Sequence, residues 1–392
     1  MLVLFLTVLI DLIGFGMIIP ILPFAAPRFG ATELDIAMIL VSYSVCGALA
    51  SPLWGRLSDR WGRKKTLLTC LAGTAACYGL LAMVTTLWAL YAVRILAGCF
   101  TGNFGVASAY AADLSTPQTR AKAMGLLGSA FGLGMVIGPS VGGLLAGPEA
   151  SLARPALVAG AMSLLAIALG LWRLKETVPA GPRAAVAPES LRALLQRTGN
   201  TGLVLQFLVI TGAISTISYL FPLAAGHLLH WTPREVGIVF GVQGLCMAVL
   251  QAVLIGRLAK RFGELPLLRV ALALMIAGFA LAALAHDTAT LVAGFFIAVS
   301  GASACTPVLN TLLSNRTPFA LRGRMLGSSS AASAWGRVAG PLLAGLVLSG
   351  FGYPAAWAAG GLVGVITLAW ALRVRFAPAA TESARPASAG AP

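Results

Sequence analysis

The sequence has few of the residues that a water-soluble protein places on its surface. Only 10% of its 392 residues are charged, and just 12 residues are acidic. Soluble domains carry about 25% charged residues, so this chain has too few to cover a surface that faces water. Hydrophobic residues make up 58% of the chain, and 45 residues are glycine. The composition therefore predicts a protein that faces lipid.

The chain also lacks the residue clusters on which enzymes and metalloproteins depend. Its three histidines, His227, His230 and His286, fall at the predicted outer ends of apolar segments. The six cysteines lie inside predicted spans without a CxxC pair, which favours small packing residues over a disulfide frame or a metal site. No nucleotide-binding loop, GxSxG or HExxH motif stands out. A membrane enzyme is disfavoured, and we expect neither a metal nor an organic cofactor.

Twelve apolar segments are long enough to cross a bilayer as helices, which takes about 20 residues each. They predict an all-α membrane protein with two six-helix bundles, residues 1–173 and 200–373. A polar cytoplasmic linker at 174–199 joins the bundles and could hold a short amphipathic helix near Glu189–Arg197. A disordered cytoplasmic tail is predicted at 374–392. The predicted spans cover roughly 2–24, 36–57, 66–86, 88–110, 123–146, 155–173, 200–226, 233–257, 266–285, 288–312, 325–350 and 353–373.

The net charge of +15 comes from basic residues that lie mostly on one side. If Met1 is cytoplasmic and the spans alternate in direction, 22 of the 27 Lys and Arg residues fall on the cytoplasmic side. This asymmetry predicts cytoplasmic termini and multi-pass insertion into the inner or plasma membrane. The basic surplus is thus a signal of orientation, and no nucleic-acid partner is expected.

An internal repeat relates the two halves. GRLSDRWGR at residues 55–63 returns as GRLAKRFGE at 256–264, 201 positions later. GxxxGPxxG at 134–142 likewise returns as GxxxGPxxA at 336–344. Repeated bundles of this kind are typical of secondary transporters. A receptor or scaffold would not need the basic turn in both halves.

These motifs resemble those of the major facilitator superfamily. The basic turn matches the G-x-L-a-D-r-x-G-r-k signature, Arg94 in LYAVRILAG matches the arginine motif of span four, and residues 134–143 match the span-five signature of the family's antiporters. The opening span resembles that of tetracycline–proton and related drug–proton antiporters. The resemblance implies the twelve-helix major facilitator fold.

The resemblance also implies a function. It predicts a monomeric, proton-coupled antiporter that exports small amphipathic compounds by alternating access, with the proton gradient as its energy source. Cys77 stands where tetracycline antiporters carry an acid in span three, and span nine lacks their second acid. These departures bear on tetracycline as the cargo and on the number of protons exchanged. The alternative function is an exporter of sugars, metabolites or lipids on the same scaffold.

Asp11 is the only acid well inside a predicted span. It lies roughly 15 Å deep at 1.5 Å per residue, near the middle of a hydrocarbon core about 30 Å thick. Intramembrane acids are costly and usually face a wet cavity with a partner. Arg94 lies at a depth from which its side chain could approach Asp11, and we predict that the pair couples protonation to transport. The alternative is a structural acid permanently paired to a buried arginine.

The basic turn and the glycine run of span five are predicted to gate the transporter. Asp59 could pair with neighbouring arginines, or accept from a helix N-terminus, and so lock the helix ends in one state. Glycines spaced by four let two helices approach and slide. The alternatives are a turn that only fixes topology and ordinary tight packing. Lys260 replaces Asp59 in the second copy, which should lack the latch. The predicted gating residues are Gly55, Asp59, Arg60, Gly62, Arg63, Asp113, Arg120, Gly134, Gly138, Pro139 and Gly142.

Polar side chains in the central spans are candidate substrate contacts. The resemblance implies that spans one, four, seven and ten line the central cavity. The same side chains could instead serve helix packing. Arg337, a second buried cation, could attract anionic substrate groups or bind backbone carbonyls. The candidates are Asn103, Gln206, Tyr219, Gln243, Asn310 and Arg337.

Overall fold

The computed structural model describes residues 1–116, 119–177, 195, 199–318 and 321–374. Within these ranges eleven helices are long and apolar enough to cross a membrane. The last of them contains a non-helical glycine, Gly352, at φ 79°, which divides it into two spans and confirms the predicted twelve. We number the spans α1 Leu2–Phe29, α2 Glu33–Trp61, α3 Arg63–Ala82, α4 Leu87–Asp113, α5 Arg120–Ala146, α6 Ala153–Arg173, α7 Thr201–Leu229, α8 Pro233–Phe262, α9 Glu264–Ala283, α10 Thr288–Asn315, α11 322–351 and α12 353–373.

The predicted linker and tail fall mainly outside the described residues, and so does the amphipathic helix expected near Glu189–Arg197. The turns at 55–63 and 256–264 lie at the same end of the bundle, because each follows an even-numbered span of its half. We call this end the basic face and the other end the opposite face.

The spans α2 and α8 begin with the same local structure at the opposite face. A capping box of Thr32 and Asp35 starts α2, and one of Thr232 and Glu235 starts α8. In each box the hydroxyl and the carboxylate satisfy backbone N–H groups that the first helical turn leaves free. The duplication seen in the sequence therefore persists in the backbone.

Small residues let the helices of each half pack closely. Gly138 of α5 faces Gly16 of α1, and a Cβ at Gly138 would lie 2.7 Å from the Cα of Gly16. In the second half, Gly340 of α11 faces the backbone of Gly212 of α7. No side chain fits at these positions without a shift of the backbone. The predicted glycine run thus brings α5 against α1 of its own half.

Two matching contacts join the halves near the opposite face. Gly143 of α5 meets Gly237 of α8, where a Cβ at Gly143 would lie 2.9 Å from the Cα of Gly237. Gly345 of α11 meets Ala37 of α2, where a Cβ at Gly345 would lie 2.6 Å from the Cβ of Ala37. The pairs occupy equivalent places in the repeat, so one kind of contact is used twice.

A hydrogen bond and an aromatic contact add to this closure. The Tyr219 hydroxyl of α7 donates to the backbone oxygen of Glu33 at 2.7 Å. Phe24 of α1 packs against Gly226 of α7, 3.0 Å from the position of a Cβ there. All of these contacts lie toward the opposite face, so the halves are closed together at that end.

Candidate transport site

Asp11 lies in the middle of α1 with only 7% of its surface exposed. The span α4 is interrupted at residues 100–102, and its second helical piece begins with Asn103. The Asn103 Nδ2 donates a hydrogen bond to Asp11 Oδ2. The other carboxyl oxygen, Oδ1, is buried without a partner among the described residues. A buried carboxylate oxygen without a hydrogen-bond partner costs free energy. A proton on this oxygen would lower that cost, because it removes the charge.

Arg94 does not form an ion pair with Asp11 in the part of the chain that the structure describes. Its side chain is 4% exposed, and its guanidinium carbon lies 4.2 Å from the centroid of the Tyr43 ring. Its Nε has no hydrogen-bond partner there either. A cation held on an aromatic face is a favourable arrangement where water is excluded. Asp11 is therefore not locked to the arginine.

Tyr43 of α2 is a central residue that the sequence analysis missed. Its ring stacks on Phe15 of α1 with centroids 5.7 Å apart and carries Arg94 beside it. Arg337 of the second half, also within a span, is exposed and forms no ion pair or hydrogen bond among the described residues. The sequence did contain a signal for the contact of Tyr43 with Arg94. Tyr43 lies ten residues and Arg94 seven residues from the opposite-face end of its span, so the two side chains are at similar depths.

The remaining substrate candidates lie at different depths of the bundle. Tyr219 belongs to the closure at the opposite face, whereas Asn310 is exposed five residues from the basic-face end of α10. Gln206 is buried with its Oε1 unpartnered among the described residues. The Gln243 Nε2 donates to Ser300 Oγ at 3.3 Å. The structure does not gather these side chains at one point.

The basic turn of the first half forms a cluster around Arg63, which is 1% exposed. Its guanidinium pairs with Asp59 at 2.7 Å and with Asp113, at the end of α4, at 2.8 Å. It also donates to Ser58 Oγ at 2.5 Å. Arg63 thus ties the α2–α3 turn to α4 within the same half.

The other predicted gating residues surround this cluster or lie in α5. Gly62 adopts φ 101° at the turn, a conformation that side chains rarely take. Arg60 and Arg120 are exposed, and Gly55 faces open space. Gly134 packs on Leu12 of α1, and the Pro139 carbonyl lies against α8 of the other half. The α5 residues therefore contact both halves, whereas the described contacts of the turn lie within the first half and at the start of the linker.

Glu176, which follows α6, is a further residue that the sequence motifs did not indicate. Its carboxylate accepts hydrogen bonds from the backbone N–H groups of Lys64 and Lys65 at 2.9 and 3.1 Å. These groups begin α3, where the helix dipole favours an anion. The start of the linker is therefore fixed to the basic turn.

A cavity of about 520 Å³ lies away from Asp11, at the opposite face. Residues of both halves line it, among them Phe24, Glu33, His227, Trp231 and Tyr353. His227 stacks on Tyr353 with ring centroids 4.8 Å apart. This cavity is a vestibule above the closure and does not reach the buried carboxyl.

Two repeated helical bundles around buried charges define a class, the multi-pass membrane transporters. Comparison with known proteins supports the assignment to this class. The model of the Major Facilitator Superfamily matches residues 4–226 and again residues 203–391. The chain belongs to this family, and it is a transporter and not an enzyme.

Individual relatives support the same assignment. The chain is 30% identical over 345 residues to the class C tetracycline resistance protein of Escherichia coli, with 86% of each chain covered. It is 25% identical to multidrug resistance protein 2 of Bacillus subtilis, over 87% of this chain and 86% of that protein. The crystal structure of the human organic anion transporter MFSD10 superposes with a TM-score of 0.71 at 23% identity, over 94% of this chain and 98% of that one. The last similarity shows the fold alone.

Proposed function

We propose that this protein is a proton-coupled antiporter that exports small amphipathic, drug-like compounds by alternating access. The observation that carries the proposal is the Asp11 carboxyl, buried at mid-membrane with one oxygen bound by Asn103 and the other unpartnered. A group in that state can hold or release a proton without breaking an ion pair. It is also the only acid that lies well inside a span, away from the span ends.

The direction of transport and the cargo rest on the relatives. Two of them are named as tetracycline and multidrug resistance proteins. By extension, we assign export from the cytoplasm across the inner or plasma membrane. The basic face is then cytoplasmic, as the positive-inside asymmetry requires, and both termini lie there. One chain contains both halves, so a monomer suffices.

Proton exchange at Asp11 would depend on its surroundings. In general, burial raises the pKa of a carboxyl group, whereas a neighbouring cation lowers it. Cargo that enters beside Tyr43 changes both, because it displaces water and contacts the ring that holds Arg94. Asn103 can donate to the carboxyl in either protonation state and so keeps it in place.

Alternating access requires the halves to separate at the opposite face. The contacts that would have to break there include Gly143 with Gly237, Gly345 with Ala37, Phe24 with Gly226, and the Tyr219 hydrogen bond. The Arg63 cluster stays within the first half, so that half can move as one body.

The test is substrate-induced proton flux. Wild-type protein in proteoliposomes with an imposed pH gradient should transport tetracycline, or ethidium as a second probe, and dissipate the gradient. Asp11→Asn should abolish the driven transport, because the amide cannot carry a proton, while downhill equilibration of the probe persists. Equal driven transport by wild type and Asp11→Asn would refute the proposal.

A matched control separates proton coupling from folding. Glu149→Gln removes an exposed acid of the same half that lies outside the spans and the Arg63 cluster, and its driven transport should remain dependent on the pH gradient. Thermal unfolding in detergent should confirm that the Asp11→Asn variant is folded.

A further inference from the structure

The cavity at the opposite face has no part in the function proposed above. Its volume of about 520 Å³ falls within the range of small-molecule sites, roughly 300–1,000 Å³. Exposed residues, among them Thr32 and His230, belong to its lining, so a ligand can enter from the aqueous side. The size and the access are those of a binding site.

Aromatic rings from both halves line the cavity. Phe24 comes from the first half, and Trp231 and Tyr353 come from the second. Trp231 makes an edge-on contact with Phe221, with ring centroids 6.4 Å apart, and Tyr353 stacks on His227 at 4.8 Å. These neighbours hold the two rings in place before a ligand arrives. Rings fixed in this way favour the binding of flat aromatic molecules, because little side-chain freedom is lost.

Glu33 gives the cavity its preference for positive charge. It is the only acid among the described residues that line the cavity, and no lysine or arginine lines it there. Glu33 is exposed, and its carboxylate forms no ion pair or hydrogen bond in the described part of the chain. Arg28, a basic residue of the preceding loop, donates to the backbone oxygen of Glu149. A cavity with one free carboxylate and several aromatic faces suits an aromatic cation.

The cavity shares residues with the closure between the halves. The backbone oxygen of Glu33 accepts the Tyr219 hydroxyl across the boundary, and Phe24 meets Gly226 there. Glu33, Phe24 and Gly226 also line the cavity. Its walls come from α1 and α2 on one side and from α7 and α12 on the other, so the cavity exists only while the halves are together at this face. A ligand that fills it binds the closed arrangement better than the open one, and so favours closure.

We propose that this cavity is a second binding site, separate from the Asp11 site, for aromatic monocations. The cation pairs with Glu33, its rings lie against Trp231 and Tyr353, and its presence holds the opposite face closed. Such a compound inhibits transport without occupying the membrane centre. The site itself does not depend on the proposed function, whereas its effect on transport rests on alternating access.

The first experiment measures the binding of thioflavin T, an aromatic monocation whose fluorescence rises when its rings are immobilised. Full-length protein in nanodiscs is titrated at about pH 8, where histidine is ordinarily neutral, and empty nanodiscs give the background. Glu33→Gln and Trp231→Leu should each weaken binding by about fivefold, because one removes the carboxylate and the other an aromatic face. An uncharged benzothiazole of the same shape should bind the wild type more weakly than thioflavin T does.

Two control variants locate the dye. Glu149→Gln removes another exposed acid of the opposite face, one that does not line the cavity, and its affinity should stay within about twofold of the wild type, since a distant exposed charge is screened. Asp11→Asn should retain binding, whereas a dye that lay at the central carboxyl would lose it. Loss of binding in Asp11→Asn, or wild-type affinity in both Glu33→Gln and Trp231→Leu, would overturn the inference.

The second experiment measures the effect on transport. Thioflavin T on both sides of the proteoliposome membrane should inhibit tetracycline transport by the wild type, and Glu33→Gln should need about fivefold more dye for the same fractional inhibition. Equal inhibition of the two proteins would overturn the inhibitory role. Inhibition through Glu33 stands even if transport ignores the pH gradient, whereas a proton-driven transporter that the dye does not inhibit refutes this inference and leaves the antiporter in place.

Discussion

The two basic turns have the same backbone conformation at their glycine, but their side chains form different interactions. Gly62 and Gly263 both take a left-handed conformation, at φ 101° and 84°, between a long helix and the next span. In the first turn, a buried Arg63 pairs with Asp59 and Asp113. The equivalent positions of the second turn hold Glu264, Lys260 and Ser314, found at an offset of 201.

The difference shows which part of the duplicated motif is structural. Both copies retain the glycine that reverses the chain, whereas only the first retains the ionic cluster. The second turn also follows a π-helical stretch, Leu250–Ile255, where α8 is wound more loosely. The first half is thus fastened at the basic face by the Arg63 cluster, which the described residues of the second turn do not repeat.

The most direct test of this difference is to replace Arg63 in the first turn and Glu264, the residue at the equivalent position, in the second turn. Arg63→Ala should destabilise the protein by about 3 kcal/mol, because it leaves Asp113 without its buried partner. Glu264→Ala should cost less than about 0.5 kcal/mol, as expected for a surface position. Thermal unfolding in detergent measures both, and equal losses would show that the second turn has a latch of its own.

The contacts that join the halves test whether the two repeats are equivalent at the opposite face. Gly143→Ala and Gly345→Ala should each cost about 1–2 kcal/mol in the closed state, because the added methyl group meets the facing helix. Both should shift the protein toward opening at the opposite face. Spin labels at Ala31 and Leu228, one in each half, should then report longer distances. A shift in only one of the two variants would contradict the symmetry.

The smallest expected effect concerns the two capping boxes. Thr32→Ala and Thr232→Ala each remove the hydroxyl of an N-cap, so each should lower stability by about 1 kcal/mol. Because the boxes are equivalent, the two losses should agree. Unfolding midpoints measured side by side provide the check, and a much larger loss in one variant would show that its threonine has a second role.

The sequence was sufficient for the architecture because lipid imposes a strong constraint on length and composition. The twelve spans and the repeat could be predicted from apolar runs and motif spacing alone. Asp11 and Arg94 also stood out, since charges are rare at that depth.

The partners of these charges could not be predicted. Depth along a span is readable from the sequence, but the rotation of each helix about its axis depends on packing against its neighbours. The interruption of α4 before Asn103 turns that amide toward Asp11, and the rotation of α2 places Tyr43 beneath Arg94. Tyr219 was expected in the cavity for the same reason and instead lies in the closure.

The place of Asp11 well inside the first span has an electrical consequence. A proton that reaches this carboxyl from one side and leaves toward the other crosses the whole membrane voltage in each cycle. If uncharged cargo leaves the cell as one proton enters, each turnover moves one elementary charge inward. A membrane voltage of 100 mV then contributes about 2.3 kcal/mol per cycle. Such a pump would run on voltage even where the two sides have the same pH.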